Sequence, residues 1–180
     1  MAGRSAEAVG LRSLDERLAE VVHETSSPDG GAIVTVRGPD DVVFEFRAGA
    51  YGRYDETGLA HQLERLARTV YDRYTGEVND VIDDYLGGDG VDDDDAELGE
   101  FRTQLDRMVF KATSSRGAIA VATRAFVEWK VGVAPGALSL SESEFVAELQ
   151  SVAAQLRAEQ VRQTERARGG VYGFGWVSFE

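Results

Sequence analysis

The chain contains two segments that read alike, and this likeness constrains its fold more than any other feature. Residues 30–49 are GGAIVTVRGPDDVVFEFRAG, and residues 116–132 are RGAIAVATRAFVEWKVG. Both contain Gly-Ala-Ile, pass through a short polar break and resume with alternating apolar and charged residues. Such alternation indicates strands, so each segment predicts a β-hairpin. Because an isolated hairpin is at best marginally stable, we expect the two to pack together.

The segments that flank the two hairpins match as well. Apolar residues recur at helical spacing from Leu11 to Val22, and they recur again 87 positions later, from Leu98 to Val109. After the hairpins, helical patterns include Leu59 and, 86 positions later, Phe145. Each copy therefore predicts helix, strand, strand and helix, at 10–25, 31–37, 42–48 and 56–75, then at 97–112, 117–122, 126–132 and 142–166.

Two details of the alignment are specific enough to test. Ser141 and Glu144 predict a capping box at the start of the last helix, and Asp55 is the predicted N-cap of the earlier one. Residues 44–47 align with residues 127–130, which makes the second hairpin turn three residues shorter than the first.

The sequence thus predicts an α+β protein of two tandem α-β-β-α repeats that form an intramolecular pseudo-dimer. The predicted boundaries are 1–86 for the first repeat, 87–96 for an acidic linker, 97–168 for the second repeat and 169–180 for an aromatic C-terminal tail. Neither repeat is expected to fold alone, since each lacks a partner for its sheet.

This order of motifs resembles the YbaB/EbfC family. The residues that carry the resemblance are GGAIVTVRG, VVFEFRAG and YDETGLAHQLERLARTVYDRY, with RGAIAVAT, FVEWKVG and LSESEFVAELQSVAAQL in the second copy. Members of that family are small homodimeric nucleoid-associated proteins, so the resemblance implies a fused, YbaB-like pseudo-dimer. The second copy is also similar to Esp-type accessory proteins of actinobacterial type VII (ESX) secretion loci. Both resemblances imply a non-enzymatic binding module.

The charge distribution bears on what such a module binds. The net charge is −13, but the segment 76–100 holds eleven of the 32 acidic residues and no basic one, which leaves 21 acids against 19 bases elsewhere. Nucleic-acid binding needs a basic patch. The best candidate, RAEQVRQTERAR, intersperses its arginines with glutamates and is typical of a solvated helix. A protein partner is therefore favoured, and DNA binding is the alternative.

No catalytic, cofactor or metal site is predicted. The chain has no cysteine, its glycine-rich segments match no nucleotide motif, and the acidic tract does not fit a calcium loop. His23 and His61 are expected to be polar surface residues, and the pairs Ser26-Ser27 and Ser114-Ser115 to be turn residues.

The tail offers the one candidate binding site. Its aromatic residues are typical of interface anchors, and they either cover the protein's own apolar surface or dock on a partner. The predicted partner-binding residues are Tyr172, Phe174, Trp176 and Phe179. The sequence lacks an apolar run long enough for a membrane span and an apolar N-terminal core, so we expect a cytoplasmic protein without membrane contact, as a monomeric pseudo-dimer or a dimer of it. The predicted function is a protein-binding accessory or chaperone-like module.

Overall fold

The computed structural model describes residues 13–38, 41–86 and 107–172. We call the part up to residue 86 the N-terminal half and the part from residue 107 the C-terminal half. The N-terminal half contains α1 (Leu14–Ala19), β1 (Val22–Ser26), β2 (Ala32–Arg37), β3 (Asp41–Phe46), a 3-10 turn (Tyr51–Arg53) and α2 (Glu56–Leu86). The C-terminal half contains β4 (Val109–Thr113), β5 (Ile119–Arg124), β6 (Glu128–Val133), a 3-10 turn (Ala137–Ser139) and α3 (Glu142–Tyr172).

The six strands form two antiparallel sheets of three strands, in the orders β1-β2-β3 and β4-β5-β6. The predicted α+β class is confirmed. The helices predicted at 10–25 and 97–112 are wrong at their C-terminal ends, where the structure has β1 and β4. The predicted acidic linker 87–96 and residues 97–106 of the second predicted helix lie outside the described residues. In β4 the side chains of Phe110 and Ala112 are buried while Lys111 and Thr113 are exposed, and pairing with β5 satisfies the backbone of the strand. The alternation of buried and exposed residues is therefore that of a strand.

The same order of elements recurs at nearly constant spacing. β1 begins at residue 22 and β4 at residue 109, a separation of 87, and the next two strands of each half keep that separation. The long helices begin at residues 56 and 142, a separation of 86. Three positions separate the hairpin strands in both halves, so the prediction of a shorter second turn is wrong. Ala125 and Phe126, which are not typical turn residues, form the second turn by adopting positive φ angles of 49° and 58°.

The turns that precede the hairpins have the same hydrogen bonds in both halves. The hydroxyl of Ser27 accepts a hydrogen bond from the N–H of Ala32 at 2.9 Å, and the hydroxyl of Ser114 accepts one from the N–H of Ile119 at 3.1 Å. Both serines are buried. They are therefore turn residues, and each closes the loop between the first two strands of its sheet. Ser115 also lies in a turn, but the prediction for Ser26 is wrong, because Ser26 is the last residue of β1 and pairs with Ile33 of β2.

Each long helix packs on strands of both halves. α2 contacts β1 and β2 of its own half and β6 of the other, and α3 contacts β4 and β5 of its own half and β3 of the other. The ring centroids of Tyr51 and Phe145 lie 5.4 Å apart, and the hydroxyl of Tyr51 donates to the carbonyl of Leu140 at 3.0 Å. The carboxylate of Glu64 accepts a hydrogen bond from the N–H of Val131 at 3.4 Å. The two halves therefore share one hydrophobic core.

The predicted helix starts are present. Ser141 and Glu144 form the reciprocal bonds of a capping box, with the N–H of Ser141 donating to Glu144 at 3.0 Å and the N–H of Glu144 donating to the serine hydroxyl at 3.3 Å. The carboxylate of Asp55 accepts from the N–H of Gly58 at 2.6 Å. These caps satisfy backbone N–H groups that a helix start leaves without a partner.

Candidate functional site

A largely apolar groove lies between α2 and α3, above strands of both sheets. It encloses a cavity of about 390 Å³, within the range of about 300–1,000 Å³ typical of binding sites. Its floor consists of strand residues from both sheets, and its walls come from both long helices. The lining residues central to its chemistry are Val34, Val42, Phe44, Ala67, Tyr71, Tyr74, Val121, Phe126, Trp129, Val131, Ala153, Arg157 and Gln160.

The groove lies between the two long helices because these helices are longer than the strands on which they pack. Each long helix has 31 residues, which corresponds to about 46 Å, whereas a six-residue strand spans about 20 Å. The first turns of the helices seal the core with fully buried Leu59 and Phe145. Further along, half-buried Tyr74 of α2 and Gln160 of α3 line the groove. The same two helices thus close the core at one end and flank the groove at the other.

An aromatic cluster forms one side of the groove. The rings of Tyr71 and Phe126 are stacked with centroids 4.9 Å apart, and Phe110 and Trp129 lie 4.6 and 5.7 Å from Phe126. The indole N–H of Trp129 donates to the carbonyl of Phe126 at 2.7 Å. This bond holds the backbone of Phe126, which has a positive φ, in place. The cluster is therefore a fixed apolar surface that joins α2 to the sheet of the C-terminal half.

The polar groups of the groove lie on the helices. Burial raises the pKa of Tyr71, and a hydrogen bond with Thr75 opposes this shift. On α3, the guanidinium of exposed Arg157 donates to the side-chain oxygen of Gln160 at 3.3 Å. Among the described residues that line the groove, Arg157 carries the single formal charge. The groove is therefore apolar in its floor and basic at one point on its rim.

The predicted partner-binding residues come after the groove-lining residues of α3 in the sequence. Tyr172 is the last residue of α3, so the helix extends into the predicted tail. Phe174, Trp176 and Phe179 lie outside the described residues, and their assignment to partner binding stays a prediction.

The two histidines differ in their surroundings. His61 is exposed on α2, as expected. His23 lies on β1, where its side chain is only 11% exposed and its Nδ1 is 2.7 Å from the Glu77 carboxylate of α2. The expectation that His23 is a surface residue is therefore wrong, because strand β1 turns it toward α2. Within the described ranges, no group of three or more histidine, aspartate or glutamate side chains is arranged to hold a metal ion.

Sequence reasoning did not predict the groove. A signal was present in α2, where Val70, Tyr71, Tyr74 and Val78 extend the apolar stripe about three turns beyond buried Leu66. An apolar stripe longer than the sheet beneath it indicates surface for another occupant.

Comparison with known protein families, with curated proteins and with solved structures finds no match. None of the helices in the described ranges is both long and apolar enough to cross a membrane. The geometry of the groove is therefore the main evidence about function.

Proposed function

We propose that the chain consists of two tandem repeats that form an intramolecular pseudo-dimer of the YbaB-like kind. Strand positions that differ by 87 and helix positions that differ by 86 support this, as does the exchange of helix packing between the halves. One tertiary contact is repeated too. The N–H of Asp29 donates to Gln62 at 3.4 Å, and the N–H of Arg116 donates to Glu148 at 2.9 Å, at positions 87 and 86 residues later.

We further propose that this pseudo-dimer is a non-enzymatic protein-binding accessory or chaperone-like module. The single observation that carries the proposal is the partly open, apolar groove of about 390 Å³ on a chain with a net charge of −13. A groove between two helices accommodates an amphipathic helix or an extended apolar segment of another protein. A connection with type VII secretion rests on the resemblance of the C-terminal half alone.

A substitution that fills the groove tests this function. Ala153 lines the groove, whereas its neighbour Ala154 is exposed on the outer face of α3. We expect Ala153→Trp to abolish the capture of specific proteins from an extract of the native host and to reduce binding of the neutral apolar dye N-phenyl-1-naphthylamine. Ala154→Trp adds the same indole to the same helix and is the matched control. Equal capture by both variants, with both folded by circular dichroism, would refute the proposal.

DNA binding remains the alternative that the family resemblance implies. Arginine side chains near the end of α3 are balanced by acids, and Arg162 is paired with Glu159. A gel-shift titration of duplex DNA separates the two functions, because phosphate contacts give binding that weakens steeply with added salt. Removal of residues 89–95 should strengthen DNA binding if DNA is the partner. Tight, salt-sensitive binding of duplex by the intact chain would favour this alternative.

A further inference from the structure

The groove lies between equivalent positions of the two halves, and most of these positions are occupied by similar residues. Val34 and Val121 are 87 residues apart, and Ala67 and Ala153 are 86 apart, and all four line the groove. Such matched positions make the floor and the lower walls of the groove apolar on both sides. In a dimer of identical chains, the upper walls would be identical as well.

The upper walls of this groove differ. Tyr71 and Tyr74 line the groove from α2, whereas their equivalents Arg157 and Gln160 line it from α3. One wall is therefore aromatic, and the other carries a cation and an amide. The aromatic wall is fixed by the stacking of Tyr71 on Phe126 at 4.9 Å. The polar wall has side chains that donate hydrogen bonds and are positioned at the rim.

We propose that the occupant of the groove is an apolar protein segment that carries an acidic side chain, and that this carboxylate binds Arg157 while the apolar side chains face α2. The inference rests on the function proposed above and specifies the chemistry of the partner. Charge complementarity supports it, because Arg157 is the single charged residue among the described lining residues. Arginine binds carboxylates through charge-assisted hydrogen bonds, and an apolar surface beside the pair limits the access of water.

The chemistry can be tested with two dyes that share one ring system. 1-Anilinonaphthalene-8-sulfonate carries an anion, and N-phenyl-1-naphthylamine is neutral. We expect Arg157→Gln to weaken binding of the anionic dye by about fivefold, the size of one charge-assisted hydrogen bond at an exposed rim. Binding of the neutral dye should not change. The matched control is Arg162→Gln, which removes a charge from an exposed position on the same helix that does not line the groove.

The outcomes separate the two proposals. If neither dye binds the folded protein, or if Ala153→Trp changes the binding of neither, the proposed function fails and the inference fails with it. If both dyes bind in the groove and Arg157→Gln affects the anionic dye no more than Arg162→Gln does, only the inference is overturned.

A second experiment tests whether the occupant is a peptide. Two capped, leucine-rich helical peptides that differ only by one glutamate or glutamine are titrated into the labelled protein. We expect the glutamate peptide to bind about fivefold more tightly, and the difference to vanish in Arg157→Gln. Equal affinity of the two peptides would contradict the inference. So would a stoichiometric apolar carboxylic acid found by mass spectrometry in an organic extract of the purified protein, since the occupant would then be a small molecule.

Discussion

Gly31 and Tyr54 form a tight pair whose energy can be tested by substitution. The hydroxyl of Tyr54 donates to the carboxylate of Asp29 at 2.7 Å, and burial together with this bond raises the pKa of Tyr54 to about 12. A methyl group added at Gly31 would overlap the tyrosine hydroxyl and lie 3.3 Å from the Cβ of Ala50. In the C-terminal half the equivalent positions hold Ala118 and Leu140. There alanine stands in place of the glycine, and leucine in place of the tyrosine.

We expect Gly31→Ala to destabilise the protein, because Tyr54 must move away and give up its bond to Asp29. Overpacking and the lost hydrogen bond cost about 2 kcal/mol together. Restriction of the unfolded chain by the alanine returns about 0.5–1 kcal/mol, so the net loss is about 1–1.5 kcal/mol. With Tyr54→Leu already present the overlap disappears, and the same substitution should stabilise by about 0.5–1 kcal/mol. The two sites should therefore be coupled by about 2 kcal/mol.

Urea denaturation of the four members of this double-mutant cycle measures the coupling. The control is that the dependence of the unfolding free energy on urea stays the same in all four proteins. A cycle that is additive within about 0.5 kcal/mol would refute the reasoning, because the contact between the two side chains would then carry no energy.

Three further predictions address the fold. Residues 1–88 expressed alone should show no cooperative unfolding transition by circular dichroism, since α2 would lack β6; a stable monomer would contradict this. Ala125→Gly should stabilise the protein by about 1 kcal/mol because it relieves a positive φ. The reciprocal Gly38→Ala should destabilise it, since the φ of Gly38 is 58° and the new methyl group would lie 3.3 Å from the Cα of Ala19. Urea denaturation in which Gly38→Ala is more stable than Ala125→Gly would be evidence against this. The hydroxyl and N–H of Ser141, and then Arg116, lower the pKa of Glu144 to about 2, so its stabilisation is complete above pH 4.5 and is lost as the pH falls toward 2. Thermal unfolding of Glu144→Gln should accordingly be less sensitive to acid over this interval, and parallel curves for the two proteins would rule out this role of the carboxylate.

The sequence was informative where a pattern is local. The hairpin strands β2 and β3, the starts of both long helices and the capping box follow from alternation, helical spacing and cap residues that act within a few positions. The first strand of each half was missed because Val21 and Val22, like Met108 and Val109, fit a helical spacing within a short window. Pairing with β2 and β5, a tertiary effect, determines that these segments are extended.

Other features could not be predicted from local patterns. The second hairpin turn is made by Ala125 and Phe126, which have no turn preference, and the burial of Phe126 against Tyr71 stabilises their positive φ. The groove depends on how far apart two helices lie over two sheets, and no spacing in the sequence specifies that distance. The charge of Arg157 gains meaning only once Arg157 is known to line the same apolar groove as Tyr71.

The packing of α2 on β6 has a consequence during synthesis on the ribosome. Glu64 and its hydrogen-bond partner Val131 are 67 positions apart in the chain. At about 5–20 residues per second, the ribosome adds those 67 residues in about 3–13 s. Throughout that interval the part of α2 up to Glu64 has been made, but the strand that packs on it has not. The nascent chain therefore presents an aggregation-prone surface for seconds, and we expect its yield to depend on the cell's chaperones more than that of a protein with local contacts.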